Sequence, residues 1–118
     1  MRTQELTLIG FGAIGRAVYQ RMRDHAGVRI THIVVSEGKV AALQAELGAE
    51  VSVTHQVPSG TPLVLECAGH TALNSHVLPA LQRGTECAVL SIGALSAAGL
   101  PEQLQAAAEQ GGTQLHLL

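Results

Sequence analysis

The sequence predicts an α/β protein: a doubly wound, six-stranded parallel sheet with helices on both faces, three layers in all. Three observations predict it. Short β-branched runs alternate with longer stretches whose apolar residues recur three and four apart, the βαβ rhythm of a parallel sheet. The run Gly10-Phe11-Gly12-Ala13-Ile14-Gly15 stands directly between the first strand and the first helix. The 118 residues are 47% hydrophobic and only 14% charged, a composition that fills one core rather than a disordered tail. A chain of this size buries roughly two thirds of its unfolded surface and needs no disulfide or structural metal to stand.

The elements follow in order. Residues 5–9 read as the first strand. In the helix after the glycines, Ile14, Val18 and Met22 form an apolar stripe expected to pack on the sheet, and Gly27 is expected to end it. Residues 29–35 give a second strand with a continuous apolar end, and residues 38–47 a second helix showing Val40, Leu43 and Leu47 before Gly48 closes it. Val51 and Val53 mark a third strand. Residues 55–62 are too few for a crossover helix, so they read as a short irregular link to a fourth strand at 63–67. A helix over 71–83 carries Leu73, Val77 and Leu81 on one side, with Leu78 beside them, and Gly84 stops it. The fifth strand is read at 86–91. Pro101 opens a last helix running to about residue 110, Gly111 and Gly112 terminate it, and residues 114–118 form the sixth strand.

Six strands joined by right-handed crossovers suit the order 3-2-1-4-5-6. In that order Cys67 closes one strand and Cys87 opens its neighbour, about 13 Å apart at ~3.3 Å per residue and beyond disulfide reach. Both thiols are expected to be free and reduced. Seven Lys and Arg against nine Asp and Glu leave a net charge of −2, which excludes a basic footprint for nucleic acid or anionic lipid. One Phe, one Tyr and no Trp leave no stacking platform for single strands. The apolar run at 6–9 is too short for a signal peptide and nothing approaches a membrane span, so a cytoplasmic location is expected.

The glycine run is the dinucleotide-binding pattern, and each glycine has a mechanical task. Gly10 permits the tight turn, Gly12 lets backbone approach a pyrophosphate, and Gly15 lets the helix lie close to the sheet. The helix start presents N–H groups and the positive end of its macrodipole to the phosphates. The flanking strand and amphipathic helix are what this motif needs, and they make the fold a Rossmann sheet with NAD or NADP as the expected cofactor. About 20 residues after Gly15 an acid normally selects the ribose, yet here the strand ends at Val35-Ser36-Glu37. Ser36 is the register match and can bond a ribose hydroxyl or a phosphate oxygen. Glu37 takes the acid's role if the register is off by one, and Lys39 can neutralise a 2′-phosphate. NADP is therefore expected to be accepted at least as well as NAD.

Ligands of open α/β sheets lie at the switch in strand order, here the turns after strands one and four. In Glu66-Cys67-Ala68-Gly69-His70, the small Ala68 and Gly69 are expected to admit ribose and nicotinamide, with His70 at the cleft. Ile92 and Gly93, after strand five, are expected to flank the nicotinamide ring. His25, His55, His76 and His116 read as surface, loop or strand positions without partners, and His32 lies mid-strand. No triad, carboxylate pair or metal-ligand cluster emerges on one surface.

Three segments carry a resemblance: Gly10-Phe11-Gly12-Ala13-Ile14-Gly15-Arg16-Ala17-Val18, Glu66-Cys67-Ala68-Gly69-His70 and Leu90-Ser91-Ile92-Gly93-Ala94-Leu95. Together they resemble the N-terminal NAD(P)-binding domain of the L-aspartate dehydrogenase family, related in layout to homoserine dehydrogenases. The resemblance implies oxidation of L-aspartate to iminosuccinate, which hydrolyses to oxaloacetate and ammonia or feeds NAD biosynthesis, in a homodimer. It also implies a further α+β domain holding the substrate and the catalytic His. No residue of this chain matches that His, so no catalytic residue is assigned, and this chain by itself is expected to bind dinucleotide without turning over aspartate. The competing reading is a regulatory NAD(H)-sensing module. Such modules typically keep an acid after strand two, and Ser36 counts against that reading.

Overall fold

The computed structural model describes residues 3–90 and 99–118 and, of His70, the backbone alone. Six parallel strands form one sheet in the order β3-β2-β1-β4-β5-β6, as the sequence predicts. They are β1 (Gln4–Ile9), β2 (Val28–Val34), β3 (Ser52–Thr54), β4 (Leu63–Glu66), β5 (Glu86–Val89) and β6 (Leu115–Leu117). The central strands are apolar on both sides because both of their faces are covered. Leu6 and Leu8 of β1 point to one core with Ile30, Ile33, Val53 and Leu65, whereas Ile9 points to the other with Val34, Val64 and Val89.

Helices α1 (Ala13–Met22) and α2 (Glu37–Leu47) cover the first face, the latter followed by a 3-10 turn, Gly48–Glu50. The second face is covered by α5 (Leu100–Gly111) and by an unbroken helical stretch of three parts: α3 (His70–Ala72), a π turn at Leu73–Val77, and α4 (Leu78–Gln82). The π turn has a cause in the sequence. Pro79 has no N–H to give to Ser75, and its ring crowds that carbonyl, so the helix widens just before it and Leu78 N–H reaches back five residues to Leu73 O. Leu73, Val77 and Leu81 still reach the core, with Leu78 packed against it.

The link over residues 55–62 contains no helix. It crosses the second face, with Val57 packed on the core and Thr61 Oγ1 3.0 Å from the buried Thr7 Oγ1. Eight residues at ~3.3 Å each easily cover the three inter-strand spacings, about 14 Å, from β3 to β4. Gly48, Gly84 and Gly112 stand at positive φ after their helices, as expected, and Pro101 lies in the first turn of α5. Gly111 belongs to that helix, and a Cβ there would run into the Leu81 carbonyl.

Two expectations about α1 are corrected. Ile14 does not pack on the sheet: it is 62% exposed, and the face of α1 that meets the core carries Gly15 and Tyr19, with Val18 and Met22 alongside. A glycine is invisible to an apolar count, yet here it is where α1 lies hard against the Gly10 turn. Gly27 does not cap α1 either. The helix ends at Met22, and Gly27 lies in the following turn, where its N–H donates to His25 Nδ1. Strand ends also differ: β4 stops at Glu66, with Cys67 in the turn, and β5 stops at Val89. Both cysteines are free.

Candidate dinucleotide site

A cleft of about 660 Å³ runs along the carboxyl ends of β1, β2 and β4, at the switch in strand order. Backbone bonds continue past the strand ends and hold its turns. Gly10 N–H donates to Val34 O at 2.8 Å, Cys67 N–H to Ile9 O at 2.9 Å, and Val35 N–H to Thr54 O at 3.0 Å.

The three motif glycines have separable duties. Gly10 stands at φ +93°, and a Cβ on it would lie 2.7 Å from Ala68 Cβ, so the first and fourth turns touch there. A Cβ on Gly15 would run into the Gly10 carbonyl, which is how closely the helix lies against its own entry turn. Gly12 is different. Its φ of −77° suits any residue, and a Cβ on it would meet nothing within 4 Å among the described residues. The packing of the described residues does not require a glycine at this position, which lines the cleft immediately before α1. The helix has no side-chain cap and no acid in its first turn, so its leading N–H groups face the cleft end unneutralised. Space kept free beside unspent donors is what a pyrophosphate oxygen needs.

Of the other residues singled out in the sequence, Phe11, Ser36 and Ala68 line the cleft. Ser36 caps α2 by position, but its hydroxyl makes no capping bond to that helix. Lys39 also lines the cleft, whereas Glu37 lies in the first turn of α2 outside the lining, so Ser36 is the residue that the structure presents. Ala13 and Ile14 are exposed at the start of α1, and Gly15 is buried beneath them. Gly69 stands outside the lining at φ +120°. His70 begins α3, and its side chain lies outside the described part. Ile92 and Gly93 lie outside the described residues.

Several lining residues were not found in the sequence. Arg16 of α1 reaches across to Glu46 of α2, and its guanidinium lies 4.7 Å from the centre of the Phe11 ring. The pair holds the Arg16 pKa up and the Glu46 carboxyl below its usual range. Phe11 in turn meets Tyr19 edge-on at 5.7 Å, tying the entry turn to the helix. Arg16 sits one helical turn after Gly12, which is the spacing that could have revealed it. On the opposite wall, Thr71, Ser75 and His76 come from α3 and the π turn. His76 therefore has neighbours that the sequence reading missed: burial, then the nearby His55, lowers its pKa. His116 likewise has a partner, Glu86 on the adjacent strand. Cys67 lines the cleft as a thiol, pushed up to about 11 by burial and then by Glu66. Among the described residues no group of His, Cys, Asp and Glu could hold a metal, and no helix is long and apolar enough to cross a membrane.

Residues 10–118 match the family model described as the homoserine dehydrogenase NAD-binding domain. The chain belongs to this family. Its cofactor is a nicotinamide dinucleotide, which agrees with the free space at Gly12. Among curated relatives, the L-aspartate dehydrogenase of Cupriavidus taiwanensis is 41% identical over 120 residues, covering 96% of this chain and 44% of the relative. That of Pseudomonas aeruginosa is 42% identical over 118 residues with the same coverage. The chain thus spans less than half the length of these relatives. Among solved structures, the WlbA dehydrogenase of Bordetella pertussis, in complex with NADH and UDP-GlcNAcA, has a TM-score of 0.81 at 11% identity, over 99% of this chain and 37% of that one. The aspartate dehydrogenase of Thermotoga maritima has a TM-score of 0.68 at 18% identity, over 98% of this chain and 46% of that one. At such identities the likeness establishes the NAD-binding fold of the family and nothing finer.

Proposed function

We propose that this chain is the dinucleotide-binding domain of an NAD(P)-dependent L-aspartate dehydrogenase, a cytoplasmic homodimer whose product is linked to NAD biosynthesis. The observation that carries the cofactor half of this reading is the open position at Gly12 in front of an uncapped helix. The relatives' names support the substrate half. They also favour an enzyme over a regulatory sensing module.

When bound, the nicotinamide supplies an acceptor for hydride leaving Cα of aspartate, which gives iminosuccinate. The residues of this chain bind and orient. First-turn amides of α1 hold the pyrophosphate, with Phe11, Ala13, Ile14 and Gly15 setting the shape of that turn. Ser36 bonds the adenosine ribose or a 2′-phosphate, and Lys39 supplies positive charge beside it, the Glu46 carboxylate of the same cleft being paired with Arg16. Ala68, Gly69, His70, Ile92 and Gly93 are proposed as the wall beside the nicotinamide ribose and ring. The substrate clamp and the proton-transfer group are assigned to a further domain, because hydride transfer needs both partners held about 3 to 3.5 Å apart.

Fluorescence titration of the purified chain with NADH and NADPH tests the reading. Saturable binding of both, with NADPH at least as tight, is expected. Absence of binding to either would remove it. Aspartate added to the chain with NAD or NADP is expected to give no reduced cofactor.

A further inference from the structure

Glu66 is a fully buried acid at the end of β4, in line with strand residues that are otherwise apolar. Its carboxylate turns back along its own chain. Oε2 accepts the Ala68 N–H at 2.7 Å and the Gly69 N–H at 2.6 Å. Two successive amides converging on one oxygen form the concavity that elsewhere takes an external anion. Here the chain supplies the anion itself. Gly69 itself stands at φ +120°, where a Cβ would meet nothing within 4 Å among the described residues, so the glycine serves the dihedral by which the chain leaves this turn for α3 and not the space.

The consequence reaches the first turn. Ala68, held by Glu66 on one side, bears on Gly10 on the other, where even a methyl would collide. Meanwhile Leu90 N–H donates to Glu66 O at 3.0 Å, so the backbone at Glu66 is anchored to β5. A line of contacts therefore runs from the sheet through the Glu66 carboxylate and Ala68 to the turn that precedes Gly12. We propose that Glu66 is a positioning residue of the dinucleotide site: it fixes the 67–69 turn against Gly10 and so sets the width of the cleft at the pyrophosphate. This rests on the dinucleotide reading above.

The test compares wild type, Glu66→Gln, Gly69→Ala and Leu104→Val by NADH titration, thermal melting and amide proton–nitrogen spectra. Glu66→Gln keeps the shape but weakens both bonds. Gly69→Ala disturbs the same turn from the backbone without touching the acid. Leu104 is buried in the second core, under α5 rather than in the cleft lining, so its variant reports stability alone. Expected are Ala68 and Gly69 amide signals shifted upfield in Glu66→Gln, and NADH affinity about tenfold weaker in both turn variants, the order of one charge-assisted bond. Leu104→Val is expected to keep wild-type affinity below its melting point. If Glu66→Gln does not fold, Glu66→Asp decides, since it keeps the acid but draws it away from the Ala68 and Gly69 amides and is expected to weaken NADH to the same order. Turn variants that bind NADH as wild type does, or that lose no more than Leu104→Val, would overturn the positioning role. Wild type that binds neither NADH nor NADPH would instead overturn the dinucleotide reading, and the proposal would fall with it.

Discussion

Gly12→Val separates binding from folding, because this glycine has no part in packing among the described residues. A valine there starts from φ −77°, which it adopts freely, and its Cβ enters space with no atom of the described residues within 4 Å. The cost to the fold is that of a poorer N-cap, about 1 kcal/mol, which amounts to roughly 4 °C in melting point for a domain of this size. Reduced freedom of the unfolded chain offsets part of it. The cost to the ligand is much larger. The valine methyls occupy the place of a phosphate oxygen, and losing two amide bonds of the charge-assisted kind removes about 3 to 6 kcal/mol, a factor of roughly 10² to 10⁴ in Kd. The assay is paired: melting by circular dichroism, and NADH binding by fluorescence anisotropy at 20 °C. A variant that melts within a few degrees of wild type and binds NADH equally well would show that the pyrophosphate does not lie at Gly12.

The neighbouring positions are expected to behave differently. Gly15→Ala drives a methyl into the Gly10 carbonyl and should lower stability by about 1 to 3 kcal/mol in a urea titration, with no ligand present. Ser36→Asp should shift preference from NADPH toward NADH by at least tenfold, since a carboxylate repels a 2′-phosphate and bonds a ribose diol; an unchanged ratio would remove Ser36 from the site. Native Cys67 and Cys87, pushed up to about 11 and about 12 by burial, should resist a thiol reagent at pH 8 and react promptly in urea. Because these folded pKa values lie above the unfolded one, the stability they contribute is complete below about pH 8.5 and is lost as pH rises through 11 to 12. His76 acts in the opposite direction. Its folded pKa is lowered, so its contribution is present above about pH 6.5 and is lost as pH falls below that, and His76→Asn should flatten that limb of the stability curve.

Strand order and the position of the cleft were legible because both follow from local pattern: β-branched runs, helix stops at Gly48, Gly84 and Gly112, and a glycine turn placed after the first strand. Ile14 misled for a physical reason. Hydrophobic spacing assigns a core face by side chains, whereas α1 lies against its entry turn through Gly15, a residue with none, and buries Tyr19 one turn further on. The π turn at 73–77 was present in the sequence as Pro79 inside a helical pattern, and with it came the cleft-facing His76. Arg16 and Glu46 meet across 30 residues of chain, and spacing within one helix says nothing about such a pair. Glu66 was visible only as a polar interruption in an apolar strand. Its partners are the next turn's amides, a pairing within three residues that apolar periodicity does not report.

The most direct measurement is a crystal structure of the chain saturated with NADH or NADPH. The expected density places the diphosphate at the start of α1, one oxygen within about 3.2 Å of a first-turn amide, with the adenosine ribose at Ser36. Full occupancy of the coenzyme elsewhere on the surface, with only solvent in front of Gly12, would contradict the assignment of this turn.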